Sequence, residues 1–274
     1  MNRFDGHCVV ITGGASGIGE ATARAIVKEG GKVLIADLQE DRGRALAEEL
    51  GAAAIFQKTD VTVESDIATA IERAEKELGP LTGLVNSAGI IGAVGSICDT
   101  TVEAYDRTMA IHVRAAFLTI KHAARMMKLR RKGSIVSLTS TAGLLGGLGP
   151  HAYTVAKHAI IGLTKSAASE LSAHGIRINA VAPAGTVTPM TTALAGGNTK
   201  AITKGIADSS PLGFALYPED VANGILYLLS EDARYVTGHT LAIDAGITSF
   251  GREAQGFHNG PSQVLSSPGQ SVKD

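Results

Sequence analysis

The stretch His7-Cys8-Val9-Val10-Ile11-Thr12-Gly13-Gly14-Ala15-Ser16-Gly17-Ile18-Gly19 decides how this chain is read. A short run of β-branched and apolar residues gives way abruptly to glycine, and the glycines open a segment of helical period from Gly17 to about Glu29. An isolated glycine pattern is an ordinary turn as often as a binding motif, but a strand before it and a helix after it supply the context that phosphate binding needs. Glycine lets the backbone approach a pyrophosphate without a Cβ in the way, and the helix start offers unpaired N–H groups with a partial positive charge.

Outward from this motif the alternation continues. Gly30-Gly31 stops the first helix, and an apolar run at Lys32–Asp37 forms a second strand. Further strands are expected near 53–58, 83–86, 134–138, 177–181 and 240–243, with helices near 39–50, 63–77, 101–128, 153–173 and 218–229. Strands that alternate with helices imply a parallel sheet wound on both faces, because parallel neighbours need crossover connections. The expected architecture is a single α/β domain of Rossmann type over residues 1–248, with a Gly/Ser/Pro-rich tail at 249–274 that composition marks as disordered. The Gly/Thr/Ser/Pro-rich segment Pro183–Leu216 has weak periodicity and reads as a substrate-covering loop.

Composition narrows the function. A formal net charge of −1 with both signs interspersed gives no nucleic-acid or acidic-lipid footprint. Cys8 and Cys98 show no metal-ligand spacing, so no metal site is expected. The long uncharged runs are broken by Pro, Gly, Ser and Thr and would not span a membrane; a cytoplasmic protein is expected.

Asp37 ends the second strand eighteen residues after Gly19, where a dinucleotide fold presents an acid to the adenine ribose. Its charge would repel a 2′-phosphate, and Ala15, Ser16 and Leu38 offer no compensating cation, which favours NAD over NADP. Asp60-Val61 reads either as a cover for the adenine or as a helix cap, and Asn86-Ser87-Ala88-Gly89 either as part of the site or as a structural turn.

Tyr153 and Lys157 are four apart at a helix start, so their side chains share a face. A phenol is a poor base at neutral pH, and a neighbouring ammonium would favour its ionised form. Ser140, thirteen residues before Tyr153, follows a strand and can face the same pocket.

In these motifs and their order the chain resembles the short-chain dehydrogenase/reductase family over about residues 4–248, including the closing Gly238 to Asp244-Ala245-Gly246 segment. Lys121-His122-Ala123-Ala124-Arg125 and Thr188-Pro189-Met190 are similar to the branch of secoisolariciresinol, terpenoid-alcohol and hydroxysteroid dehydrogenases. The resemblance implies Tyr153 as general acid/base, Ser140 as holder of the substrate oxygen, Lys157 on the nicotinamide ribose, and Pro183, Thr186 and Thr188 around the nicotinamide carboxamide. It also implies a homotetramer. Three positions depart from the family pattern: His112 stands where an Asn is usual, and Ala184 and Ala245 each replace a glycine. A histidine cannot copy the amide, but its ring can hold a water or, titrating near neutrality, pass a proton itself; the alternative is a buried packing residue.

Ile91, Leu144, Leu145, Leu148, Met190 and Leu194, with Ile90 and Val94, are the expected substrate lining. An apolar lining with no Arg or Lys between Ser134 and Ala156 favours a hydrophobic secondary alcohol or its ketone over an anionic substrate, and the resemblance to the terpenoid-alcohol and hydroxysteroid branch implies a cyclic one. The rival readings are a reductase of carrier-bound β-ketoacyl groups, which would carry a basic docking surface, and a non-catalytic NAD-binding scaffold, which would have a broken catalytic set.

Overall fold

Seven strands form one parallel sheet in the computed structural model, which describes residues 3–249. Strands β1 (Cys8–Thr12), β2 (Lys32–Asp37), β3 (Ala54–Lys58), β4 (Leu81–Asn86), β5 (Gly133–Leu138), β6 (Ile176–Pro183) and β7 (Thr240–Ile243) lie in the order β3-β2-β1-β4-β5-β6-β7. The expected α/β architecture is present; the tail expected beyond Ser249 lies outside the described residues.

The strand residues alternate between two cores, as period-2 side-chain direction requires. Val9, Ile11, Val33, Ile35, Val85 and Val136 belong to one apolar cluster, with Ile26 of α1 (Gly17–Lys28) and Val221 and Ile225 of α9 (Pro218–Leu229). Val10, Leu34, Leu84, Ile135 and Ile178 belong to the other. That second cluster takes Ile67 and Ile71 from α3 (Glu64–Glu77), Ile120 and Met127 from α5 (Ala115–Arg130), and Leu171 from α6 (His151–Leu171). Each such aliphatic side chain contributes about 1.5–3 kcal/mol on burial, and together they fix the register that aligns the strand ends. α2 (Glu40–Leu50) lies between β2 and β3 in the chain.

The strand order reverses between β1 and β4, and in such sheets the crevice beyond the carboxyl ends of the strands at that point receives ligands. At the opposite end of the sheet, cations serve helix ends. Arg177 donates to the carbonyls of Leu228, Leu229 and Ser230 at the end of α9, and Arg131 to that of Ala173 after α6.

Two expectations change. The helix expected at 101–128 is α4 (Val102–Met109), then a π-helical turn at Ala110–Arg114, then α5. Periodicity does not register a single wide turn inside a long helix. The loop expected over 183–216 contains α7 (Pro189–Leu194) and α8 (Thr199–Ser209). Their starts are made by caps: Thr188 and Thr191 form a reciprocal capping box with Pro189 at the first helical position, and Asn198 accepts from the Ala201 N–H.

Ala245 matters through its backbone rather than its volume. It sits at φ 54°, a left-handed conformation that costs an L-residue about 1–2 kcal/mol. The Asp244 carboxylate enforces it by accepting from the Gly246 and Thr248 N–H groups and the Thr248 hydroxyl. Ala245→Gly is expected to stabilise the chain by about 1 kcal/mol, after the extra entropy glycine loses on folding; a thermal melt showing an unchanged or lowered midpoint would contradict the strain.

Candidate functional site

A cavity of about 980 Å³ opens at the strand-order reversal. Its walls include Gly13, Ser16, Gly17, Ile18, Asp37, Asp60, Val61, Ala88, Gly89, His112, Ser140, Tyr153, Lys157, Pro183, Thr186 and Thr188. The sheet brings them together because the ends of β1, β2, β4, β5 and β6 all project to this edge.

One half of the cavity has the form of a dinucleotide cradle. Gly13 sits at φ 64°, and a Cβ there would lie 2.7 Å from the Ala88 main chain, so the turns after β1 and β4 close on each other only without a side chain. Gly19 does not line the cavity; a Cβ on it would collide with the Gly13 carbonyl, so its role is close packing of α1 on the turn. The Asp37 carboxylate, buried at the end of β2, accepts from the Ala15 N–H at 3.0 Å and the Gln39 N–H at 2.9 Å. It therefore holds the glycine turn while presenting negative charge to the cavity. Gln39, which the motif reading missed, links Asp37, Ser16 and Arg42 through its amide, with Arg42 on its far oxygen. Asp60 is not the helix cap: it accepts from the Thr62 N–H and hydroxyl in the turn before α3, and it lines the cavity beside Val61.

Asn86 lies outside the cavity lining. Its amide donates to Ser137 and accepts from Thr119, a buried network that ties β4 to β5 and α5, so its expected ligand contact is replaced by a structural one. Thr186 donates to the Ala184 carbonyl, and Thr188 caps α7. Thr191, also missed, donates to the Thr186 carbonyl and holds this wall.

The other half brings Ser140, Tyr153 and Lys157 together. Lys157 is 5% exposed, and its Nζ donates to the Leu138 carbonyl at 2.9 Å, 5.2 Å from the centre of the Tyr153 ring. Burial pushes the amine down to about 7. The Tyr153 phenol is raised by burial, and the neighbouring Ser140 hydroxyl draws it part of the way back. This corrects the expectation that the lysine charge sets the phenol: burial dominates, the hydroxyl of Ser140 opposes it, and a lysine near neutrality is itself only partly charged.

His112 occupies the π turn, 3% exposed, with its ring edge-on to Tyr153 at 5.5 Å between centroids. Its Nε2 lies 2.8 Å from the Ile90 carbonyl and 3.3 Å from the Ile90 N–H. One ring nitrogen cannot serve both at once; the shorter contact places the hydrogen on Nε2, leaving the buried Nδ1 with no partner among the described residues. Burial, then the Lys157 charge, push the imidazole down to about 3, outweighing the Ile90 contact. The ring is therefore neutral across the neutral range, which overturns the expectation that it titrates there.

Among the expected substrate residues, Ile90, Ile91, Val94, Leu148, Met190 and Leu194 line the cavity. Leu144 and Leu145 do not; the 3-10 turn Thr141–Gly143 carries the chain away, and Leu145 is 41% exposed. Arg107 and Arg114 on the α4 side also line it, so the walls as a whole are less uniformly apolar than the sequence between 134 and 156 suggested. No group of acidic, His or Cys residues suited to a metal ion occurs among the described residues, and no helix there is long and apolar enough to cross a membrane.

Known proteins share this architecture. Over residues 13–248 the chain matches the family profile described as enoyl-(acyl carrier protein) reductase. It is 42% identical to xanthoxin dehydrogenase of Arabidopsis thaliana, across 90% of this chain and 91% of that protein. It is 42% identical to (+)-borneol dehydrogenase 2 of Salvia officinalis, across 93% and 94%. The solved structure of levodione reductase superimposes with a TM-score of 0.83 at 30% identity, covering 90% of this chain and 99% of that one. The chain belongs to the short-chain dehydrogenase/reductase family of oxidoreductases, whose members bind a nicotinamide cofactor.

Proposed function

We propose that the protein is an NAD-dependent dehydrogenase that interconverts a hydrophobic, cyclic secondary alcohol and its ketone, with Tyr153 as the acid/base. The observation that carries this reading is the meeting of Ser140, Tyr153 and Lys157 in one cavity with an apolar wall of Ile91, Val94, Leu148, Met190 and Leu194. Relatives named for borneol and xanthoxin support the substrate class.

The cradle fits a dinucleotide. The turn 13–18 and the start of α1 would hold the pyrophosphate, Asp37 the adenine ribose, and Asp60 and Val61 the adenine. Ala88 and Gly89 would border the bound group, Lys157 would meet the nicotinamide ribose, and Pro183, Thr186 and Thr188 the carboxamide. When bound, the nicotinamide supplies the hydride acceptor or donor. Ser140 orients the substrate oxygen by hydrogen bonding, and Tyr153 gives a proton to that oxygen in reduction or takes one from it in oxidation. With its phenol raised by burial, Tyr153 is protonated at neutral pH, which suits ketone reduction; oxidation is expected to gain with rising pH.

His112 acts by position. Held neutral against Ile90, it keeps the π turn and the ring of Tyr153 in register, and supports proton passage by fixing this wall rather than by ionising. The intact catalytic set argues against a non-catalytic scaffold. The carrier-bound acyl reading suggested by the family description keeps the same catalytic groups, and a ketoester assay separates it. We further propose a cytoplasmic homotetramer, in which association would cover the exposed Phe117 of α5 and Val155 of α6.

A panel of secondary alcohols with NAD and NADP, followed at the nicotinamide absorbance, tests the reading. Catalytic efficiency is expected to favour NAD by at least about tenfold, the discrimination of about 1.4 kcal/mol that one misplaced charge readily supplies. Asp37→Ala with an Arg at the exposed, cavity-lining Leu38 should move the preference toward NADP. Equal efficiencies in the wild type would contradict the role of Asp37.

For His112, unfolding takes up a proton that the native ring refuses between about 3 and the ordinary 6.5. Stability from this group is whole above pH 6.5 and is lost as pH falls toward 3. The wild type should lose stability on acidification more steeply than His112→Asn, by up to about 1.4 kcal/mol per pH unit. His112→Ala should lower turnover more than it raises KM, with His112→Asn restoring much of the loss and leaving the shape of the neutral pH profile unchanged. A His112→Ala variant that folds and keeps wild-type turnover would reduce the ring to packing.

A further inference from the structure

The wall that faces the proposed substrate is a length of chain without regular structure, Gly89–Gly95, and its backbone groups have no strand or helix ladder to satisfy them. Two side chains four residues apart on the α4 side take over that task. Thr108, 1% exposed, donates its hydroxyl hydrogen to the Ala104 carbonyl at 2.8 Å, which turns a lone pair toward the loop, where it accepts from the Ala93 N–H at 3.1 Å. One turn further on, His112 holds the main chain of Ile90.

Each contact is matched by a missing side chain on the loop. A Cβ on Gly92, which sits at φ 76°, would lie 2.5 Å from the Thr108 hydroxyl, and one on Gly89 would lie 2.7 Å from the His112 ring. Ile91 and Val94, the apolar members of this wall, lie next to the two pinned residues.

We propose that Thr108 is a specificity-determining positioning residue, which with His112 clips the 89–95 loop to α4 and sets how closely Ile91 and Val94 approach a bulky substrate. This inference rests on the alcohol-dehydrogenase reading of the site. Thr108 itself does not line the cavity, so its loss should act on fit rather than on proton transfer. A large ring system presses on the wall and loses contact when the wall relaxes; a small one does not reach it.

The test uses the full chain with Thr108→Val, which keeps the shape and removes both hydrogen bonds, and Thr108→Ser, which keeps both. Backbone hydrogen exchange is followed over 89–95, and KM and kcat are measured for a bicyclic secondary alcohol and for cyclohexanol. Thr108→Val should exchange faster over 89–95 and should raise KM for the bicyclic alcohol at least about fivefold relative to cyclohexanol, the range in which small changes of apolar fit operate. Its kcat on cyclohexanol should stay within about twofold of the parent, and Thr108→Ser should match the parent throughout. If Thr108→Val does not fold, Gly92→Ala meets the same contact from the loop side and should give the same KM shift. Unchanged exchange and an unchanged KM ratio in a folded Thr108→Val, or a serine variant that behaves like the valine one, would overturn the clip. A parent enzyme that turns over neither alcohol would instead count against the functional reading, and the exchange measurement would still decide the clip.

Discussion

The site depends on one buried amine. Lys157 donates from Nζ to the Leu138 carbonyl at 2.9 Å, while its own main-chain carbonyl accepts from the Thr139 hydroxyl at 2.7 Å. The end of β5 and the first turns of α6 are thereby fastened at two points by the same residue. Gly143 allows the approach, since a Cβ there would lie 2.8 Å from the Lys157 carbonyl. Tyr153, one turn earlier on α6, and Ser140, just beyond β5, then meet because the two elements that carry them cannot slide. Enclosure has a cost: the amine falls from 10.5 to about 7, so the unfolded chain binds the extra proton between those values. The group therefore opposes folding fully below pH 7, and that opposition fades as pH rises toward 10.5. That cost stands against the two hydrogen bonds that Lys157 makes, and contact with a nicotinamide ribose is the further use proposed for it.

Much of the fold was legible because its determinants are local. The apolar runs at β1 and β2 are short and bounded by glycine, and the glycine turn after β1 could be placed between a strand and a helix from its neighbours alone. Asp37 follows from its place at the end of β2, and Tyr153 and Lys157 share a helix face by their spacing; their roles, and that of Ser140, come from the family resemblance. Ala245 was legible as a departure but not as strain, since only the backbone reveals that the position is left-handed.

What escaped the sequence is tertiary. The π turn at 110–114 leaves no mark on helical period, so nothing local announces that His112 faces Ile90 and Tyr153. Its neutrality comes from enclosure and from Lys157, which is distant in the chain. Asn86 looks like a ligand in a motif, yet its amide is spent on Ser137 and Thr119. Leu144 and Leu145 follow the motif that carries Ser140, and the turn after Ser140 takes them out of the pocket. The helices over 189–209 are short and sit between glycines and prolines; their starts are set by capping from Thr188, Thr191 and Asn198, which a search for long apolar periods passes over.

Tyr153 is proposed to transfer the proton at the substrate oxygen while its neighbours hold the reactants. This role is tested most directly by Tyr153→Phe, which removes the hydroxyl and leaves the ring against His112 and Lys157. Turnover and the NADH dissociation constant are measured on the same preparation. Turnover is expected to fall by about 10²–10⁴-fold, the range of general acid/base catalysis, with NADH binding changed less than about threefold. A phenylalanine variant that binds NADH and keeps turnover within about tenfold of the parent would contradict that role.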